Sequence, residues 1–165
     1  MTNARMTPGA WRRAGRTIEV RGRRIFVADS GGDDEPTLLL LHGFPTASYD
    51  FARAWPALSE RFRCVAPDLL GFGFSDKPKG HRYSIHEQAD LVEAVVEALG
   101  LERFWVLAHD YGDTVAQELL ARDNAREVGR WLGCCFLNGG LFPETHRARP
   151  IQKLLVGPLG SLLAR

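Results

Sequence analysis

The chain has 165 residues, of which 45% are apolar and 25% are charged. This is the length of one ordinary domain, with enough apolar residues for a core and too few charges for intrinsic disorder. Lys and Arg number 21 against 20 Asp and Glu, a balance that argues against a nucleic-acid partner, which needs a concentrated basic surface. No apolar run approaches the roughly 20 residues of a membrane-spanning helix. We therefore predict a globular protein with no membrane span.

The positive charge is concentrated at the N-terminus, where residues 1–24 hold seven Arg and a single acid, Glu19. A secretory signal would continue into a long apolar segment, and none follows these arginines. We therefore expect residues 1–15 to form a basic, solvated tail.

Three cysteines, Cys64, Cys134 and Cys135, form neither an even set nor the paired spacing of a zinc or redox site. Free cysteines are often simply buried, so we predict that all three pack in the core as reduced thiols. Reduced thiols are typical of the cytoplasm, which is the location that we expect. The sequence indicates no metal site and no cofactor.

β-rich segments alternate with helical patterns, which is typical of a parallel sheet with crossover helices. In chain order we predict strands at 16–20 and 23–28 joined by a turn at 21–22, a strand at 37–41, a helix at 49–62 broken near Pro56, a strand at 63–67, a helix between Ser84 and Gly100, a strand at 104–109, a helix at 112–122 and a strand at 131–137. The strand at 37–41 (Thr-Leu-Leu-Leu-Leu) is apolar on both faces, as expected of a central strand. Ser84 and Glu87 form a capping-box pattern.

These elements predict an α/β fold with a mostly parallel, doubly wound sheet of about six strands, here counted by pattern alone. Residues 16–140 make up this core. From Leu141 onward prolines interrupt short apolar pieces, and we assign 141–165 to a separate region.

Residues 108–112 (Ala-His-Asp-Tyr-Gly) join a strand to a helix almost without a loop. So abrupt a corner strains its central residue, Asp110, and requires small neighbours, which Ala108 and Gly112 provide. The carboxylate would stand at the carboxyl end of a central strand, where open α/β sheets bind ligands. The dipole of the following helix would favour its ionised form. Taken alone, the pattern also fits an Asp that only caps the helix.

A second turn, His-Gly-Phe-Pro at 42–45, follows the strand at 37–41. A loop here can direct the backbone N–H of Phe44 at the space above Asp110, where the N–H of Tyr111 also points. Two preorganised donors that converge in this way form an oxyanion hole. Taken alone, the tetrapeptide also fits an ordinary turn at the end of a strand.

Three motifs in this order resemble the α/β-hydrolase superfamily: 42–45, Asp-Leu-Leu-Gly-Phe-Gly-Phe-Ser-Asp-Lys-Pro at 68–78, and His-Asp-Tyr-Gly at 109–112. They are most similar to its aspartate-nucleophile branch, the epoxide hydrolases and haloalkane dehalogenases. The segments 108–120 and 137–147 resemble the mesoderm-specific transcript group still more closely.

The resemblance covers the chain from about Thr17 to its end. It implies the amino-terminal portion of an α/β-hydrolase fold, with the start of a cap domain at 141–165. The family's catalytic His and acid follow strands that this chain does not contain. One dehalogenase subgroup has its acid at the position of Asn138, which carries no charge. We therefore expect an incomplete enzyme.

The resemblance also implies a two-step hydrolysis of a small apolar electrophile. Asp110 would attack carbon and form a covalent alkyl ester, and a His-activated water would then hydrolyse this ester through an oxyanion held by the N–H groups of Phe44 and Tyr111.

Two alternatives for the activity remain open. In the dehalogenases, side chains at the positions of Phe44 and Tyr111 usually donate to the departing halide, and a Phe side chain cannot donate. We therefore favour epoxide opening and keep halide displacement as an alternative. The other alternative is a non-catalytic scaffold, in which the exposed edge strand 131–137 mediates self-association.

Overall fold

The structure, a computed structural model, describes residues 6–32 and 36–139. In chain order its elements are α1 (Pro8–Ala14), β1 (Gly15–Val20), β2 (Arg23–Asp29), β3 (Thr37–Leu41), a 3-10 helix (Ser48–Arg53), α2 (Trp55–Ser59), β4 (Arg63–Pro67), α3 (Ile85–Ala98), β5 (Phe104–His109), α4 (Tyr111–Asn124) and β6 (Trp131–Leu137). The predicted cap region at 141–165 lies outside the described residues. Within the described ranges, no helix combines the length and apolar character needed to cross a membrane.

The six strands form one sheet in the order β1-β2-β4-β3-β5-β6. β2 pairs antiparallel with β1 and β4, whereas β3 pairs parallel with β4 and β5, and β5 pairs parallel with β6. The predicted mostly parallel sheet is confirmed. Because β3 to β6 run in the same direction, their carboxyl ends meet at one end of the sheet, which brings the turns at 42–45 and 108–112 together.

Helices cover both faces of the sheet, and β3 shows how the sequence produces this arrangement. Leu39 and Leu41 pack in the cluster that contains the apolar faces of α3 and α4. Leu38 and Leu40 point the other way, into a cluster with α1, the 3-10 helix and α2. Burying one such leucine fully contributes about 1.5–3 kcal/mol. The prediction of a central strand that is apolar on both faces is confirmed.

Several element ends follow local signals in the sequence. Arg21 and Gly22 have φ values of 49° and 69°, as the two-residue turn of a tight hairpin requires. The Ser84 hydroxyl accepts the N–H of Glu87 at 3.1 Å and so caps α3. Gly100, with a φ of 64°, follows the end of the same helix. These predicted ends are confirmed.

The expected solvated tail at 1–15 is wrong for the part that the structure describes, because residues 8–14 form α1. Trp11 is only 1% exposed. Its ring packs edge-on against Trp55 at a centroid distance of 4.7 Å, and its indole N–H donates to the Ser48 hydroxyl at 3.1 Å. A helix that buries a single side chain shows no apolar periodicity. The sequence of α1 therefore shows mainly its arginines, which are typical of a solvated segment.

Two smaller predictions also need correction. Cys64 is buried as predicted, but Cys134 and Cys135 are exposed. They lie on β6, which is the outermost strand of the described sheet and has no fully buried residue. The helix predicted at 49–62 is broken as expected, but the break lies at Ala54, between the 3-10 helix and α2, and α2 ends at Ser59.

Candidate active site

Asp110 is the single residue between β5 and α4, and its backbone is strained, with φ 53° and ψ −113°. Such a conformation costs of order 1–3 kcal/mol and persists only where the surroundings impose it. Here the Asp110 N–H donates to the Leu137 carbonyl on β6 at 2.9 Å, and the Asp110 carbonyl accepts the N–H of Asp113 at 3.0 Å. The predicted strained corner is confirmed, and the neighbouring strand holds it in place.

Glycines on both sides of the corner let the backbone segments approach one another. A Cβ added at Gly112 would lie 2.4 Å from the carbonyl oxygen of Leu41, and one added at Gly43 would lie 2.8 Å from Cβ of Asp110. Ala108 is fully buried. The small residues predicted at positions 108 and 112 are therefore required by packing, and Gly43 meets the same requirement from the opposite turn.

The Asp110 carboxylate accepts hydrogen bonds from both backbone donors that the sequence predicted. The N–H of Phe44 donates to Oδ1 at 2.9 Å, and the N–H of Tyr111 donates to the same oxygen at 2.7 Å. Hydrogen bonds to a charged acceptor are stronger than those between neutral groups. Since both donors bind Oδ1, neither occupies Oδ2. The geometry thus holds one carboxylate oxygen and leaves the other for a further contact.

An aromatic cluster adjoins this carboxylate. The ring of Phe72 lies 6.1 Å from that of Phe44 and 5.9 Å from that of Tyr111. Phe44 is 58% exposed. Burial raises the pKa of the Tyr111 phenol, against a hydrogen bond with Gln88 that lowers it. This phenol is neutral at physiological pH, and the cluster offers an apolar surface beside Asp110.

The loop after β4 is hydrogen-bonded to the elements that carry the site. Both oxygens of the buried Asp68 accept backbone N–H groups, from Ser48 at 2.8 Å and from Phe74 at 2.7 Å. Gly71 and Gly73 have φ values of 94° and 48°, as a tight turn requires. Asp68 thereby connects the end of β4 to the segment that follows the turn at 42–45.

His42 is a site residue whose role the sequence did not reveal. It is fully buried beneath the turn at 42–45. Its Nδ1 lies 2.9 Å from the Gly43 carbonyl oxygen, and its Nε2 accepts the N–H of Leu69 at 3.0 Å. Burial lowers the pKa of His42 and so favours the neutral imidazole. The motif predicted a turn here but said nothing of these two contacts.

Asp113, in the first turn of α4, is a second residue that the sequence analysis missed. It is fully buried, and its Oδ1 accepts the N–H of Leu137 at 3.4 Å. Its Oδ2 has no hydrogen-bond partner among residues 6–32 and 36–139. Burial raises the pKa of Asp113. An acid in a first helical turn usually indicates a favourable dipole interaction at the surface, so no local signal pointed to burial.

Two histidines outside the turn at 42–45 contact carboxylates on α3 and α4. Nε2 of His81 lies 2.7 Å from Glu87, and Nδ1 of His86 lies 3.1 Å from Glu118. In the part of the chain that the structure describes, no group of three or more His, Cys, Asp or Glu side chains is arranged to hold a metal ion. We assign neither of these histidines to the site.

Comparison with known proteins identifies relatives along most of the chain. The mesoderm-specific transcript homolog protein of Homo sapiens is 50% identical over 94% of this chain and 49% of its own length. Haloalkane dehalogenase 2 of Mycobacterium tuberculosis is 40% identical over 68% of this chain and 38% of its own length. The crystal structure of Cfl2 from Burkholderia cenocepacia matches 90% of this chain and 53% of its own, with a TM-score of 0.78 and 29% identity.

The chain spans about half the length of the mesoderm-specific transcript relatives that it matches. These matches confirm the predicted resemblance to mesoderm-specific transcript proteins and haloalkane dehalogenases. The model of the alpha/beta hydrolase fold family matches residues 36–139, a segment that includes both turns of the site. This chain therefore belongs to the family of the alpha/beta hydrolase fold.

Proposed function

We propose that Asp110 is the nucleophile of a hydrolase and that it forms a covalent alkyl ester with a small apolar substrate. The observation that carries this proposal is the pair of hydrogen bonds from the Phe44 and Tyr111 N–H groups to Oδ1. This arrangement fixes the carboxylate and leaves Oδ2 to attack. An Asp that only capped the helix would accept the N–H of the second or third helical residue, Gly112 or Asp113. Oδ1 instead accepts the N–H of the first, Tyr111, together with a donor from the separate turn at 42–45.

The first step needs no base, because an ionised carboxylate is already a nucleophile. A lone pair on Oδ2 forms a bond to the electrophilic carbon. The bond from that carbon to the epoxide oxygen breaks, and the oxygen leaves with the bonding electrons and takes up a proton from solvent water. Water would then attack the ester carbonyl, and the oxyanion that develops on Oδ1 would be held by the same two N–H groups. Collapse of this intermediate would break the bond from the carboxyl carbon to the alkoxy oxygen, release the alcohol and restore the Asp110 carboxylate. We assign no base for this second step among the described residues.

One feature favours an epoxide over an alkyl halide. A departing halide needs hydrogen-bond donors, and the side chain of Phe44 has none. The bacterial relative that is named a haloalkane dehalogenase supports the halide as the second candidate. The two substrates are distinguished by the experiment below.

We further propose that the protein is cytoplasmic. Cys64, Cys134 and Cys135 are all free thiols in the structure. Free cysteines persist in a reducing compartment and tend to be oxidised outside it.

The proposal is tested by trapping the ester. The full chain, carrying Cys134→Ser and Cys135→Ser because exposed thiols also open epoxides, is incubated with styrene oxide, and its intact mass is measured. We expect a single adduct on Asp110 that hydroxylamine releases, as it does for an ester and not for a thioether. A folded sample that gains no mass contradicts the proposal.

The matched control is Asp110→Asn, which keeps the shape of the side chain and removes its nucleophile. We expect this variant to remain unlabelled, and an adduct of equal yield would contradict the assignment. A parallel incubation with 2-phenylethyl bromide, which has a related carbon skeleton, compares the two leaving groups. Faster labelling by the bromide would overturn the preference for epoxides while leaving Asp110 as the nucleophile.

A further inference from the structure

The direction of the Phe44 N–H depends on the carbonyl of the preceding residue. The carbonyl of Gly43 and the N–H of Phe44 belong to one planar, trans peptide group, so they point in opposite directions. Whatever fixes the Gly43 carbonyl therefore aims the Phe44 N–H, which donates to Oδ1 of Asp110 at 2.9 Å.

Two N–H groups donate to the Gly43 carbonyl oxygen, Nδ1 of His42 at 2.9 Å and the Thr46 backbone N–H at 3.3 Å. The Thr46 hydroxyl lies 3.2 Å from the same oxygen, but its single proton is also directed at the Asp50 carboxylate. The Thr46 contacts come from a neighbouring part of the same turn. The His42 ring is anchored elsewhere, by the backbone of the loop after β4 at Leu69. His42 is thus the contact that ties the peptide to the rest of the fold.

The hydrogen bonds also determine where the His42 proton lies. Nε2 accepts the N–H of Leu69 at 3.0 Å and must therefore carry a lone pair. A neutral imidazole then has its proton on Nδ1, which donates to the Gly43 carbonyl. We propose that His42, as this Nδ1–H tautomer, is a positioning residue that aims the Phe44 N–H at Asp110. The catalytic consequence rests on the function proposed above for Asp110.

The surroundings of the ring favour the neutral form. Asp68 and Asp50 face it and attract a proton, His109 opposes protonation, and burial outweighs the two acids. The edge of the ring also meets Phe72 at a centroid distance of 5.4 Å. A proton on Nε2 would face the N–H of Leu69, donor against donor. Acidification should therefore break the hydrogen bond between the Leu69 N–H and His42, so that the Phe44 N–H is no longer held in the direction of Asp110.

Two substitutions separate the two ring nitrogens. His42→Asn keeps a donor near the position of Nδ1, and His42→Gln keeps an acceptor near the position of Nε2. We expect Asp110 labelling by styrene oxide to stay near the wild-type rate in H42N. In H42Q we expect a loss of about 100-fold, the scale of a 1 Å misplacement of a reacting group. Equal rates in H42Q and wild type would overturn the proposal.

Nuclear magnetic resonance of the wild-type protein provides a readout that does not depend on reactivity or on the variants. The ¹⁵N shifts of His42 should show a protonated Nδ1 and an acceptor Nε2, and the Phe44 amide proton should exchange slowly. As the pH falls, Nε2 should gain a proton while Nδ1 keeps its own, and the slow exchange of the Phe44 amide should be lost over the same pH range. An Nε2–H tautomer, or a Phe44 amide unaffected by His42 protonation, would overturn the proposal. If styrene oxide fails to label wild type, the proposed function fails, whereas these shifts still decide the role of His42.

Discussion

Gly112→Ala tests whether the close approach of α4 to β3 holds the nucleophile turn. The added Cβ would lie 2.4 Å from the Leu41 carbonyl oxygen and 2.7 Å from that of His42, where ordinary contact begins at 3.4 Å. Both obstructing atoms belong to the buried backbone at the end of β3. The turn must therefore move by about 1 Å, an overpacking that costs about 1–3 kcal/mol.

Alanine also favours helix over glycine by about 1 kcal/mol, which offsets part of this cost. We expect Gly112→Ala to lower the free energy of unfolding by about 1–2 kcal/mol, as the balance of overpacking and propensity. Displacement of Asp110 should slow its labelling by styrene oxide about 100-fold. Urea titration measures the first effect and intact mass against time measures the second.

Gly9→Ala is the matched control, because an added Cβ in α1 meets only the end of the Arg13 side chain, at 3.6 Å. This variant should be as stable as wild type or more stable, with unchanged labelling. The reasoning is refuted if Gly112→Ala matches wild type in both measurements.

Three further predictions follow from packing and charge. Trp11→Ala should lower the free energy of unfolding, measured by urea titration, by about 3–5 kcal/mol. Trp105→Ala removes a side chain that is 41% exposed and should lower it far less. Equal losses in the two variants would show that α1 does not anchor the core. Burial raises the pKa of Asp113 in the folded protein. The stability that this carboxyl group contributes is therefore complete below its pKa in the unfolded chain, about 3.9, and is lost as the pH rises through its pKa in the folded protein. Asp113→Asn should therefore gain stability relative to wild type as the pH rises in urea titrations, and a difference independent of pH would contradict this. Finally, we propose that the exposed edge of β6 mediates self-association. Sedimentation velocity should show an assembly, and Cys135→Lys should weaken it because lysines on an edge strand block strand pairing. A wild-type protein that is monomeric at all concentrations would contradict the proposal.

Much of the fold could be predicted because its signals are local. A run of leucines at 37–41 indicates a strand buried on both faces wherever it lies in the sheet. Ser84 caps α3 through contacts within its own turn, and the Asp110 corner requires small residues only two positions away. Even the convergence of Phe44 and Tyr111 on Asp110 follows from two turns at the carboxyl ends of neighbouring parallel strands.

The rest depends on contacts between distant parts of the chain. Trp11 is buried because Ser48 and Trp55 happen to face it, which no spacing within α1 reveals. Cys135 is exposed because β6 is the outermost strand described. The proton of His42 is located by Leu69, which belongs to a different loop. Such features require the tertiary structure, since residue type alone fits either outcome.

The position of the covalent adduct tests most directly whether Asp110 is a nucleophile. The Cys134→Ser, Cys135→Ser protein is exposed to styrene oxide, digested and sequenced by tandem mass spectrometry. The account predicts one hydroxylamine-sensitive ester on Asp110, and its loss in Asp110→Asn. A folded protein that carries no adduct on Asp110, or that is modified equally in the Asn variant, would contradict it.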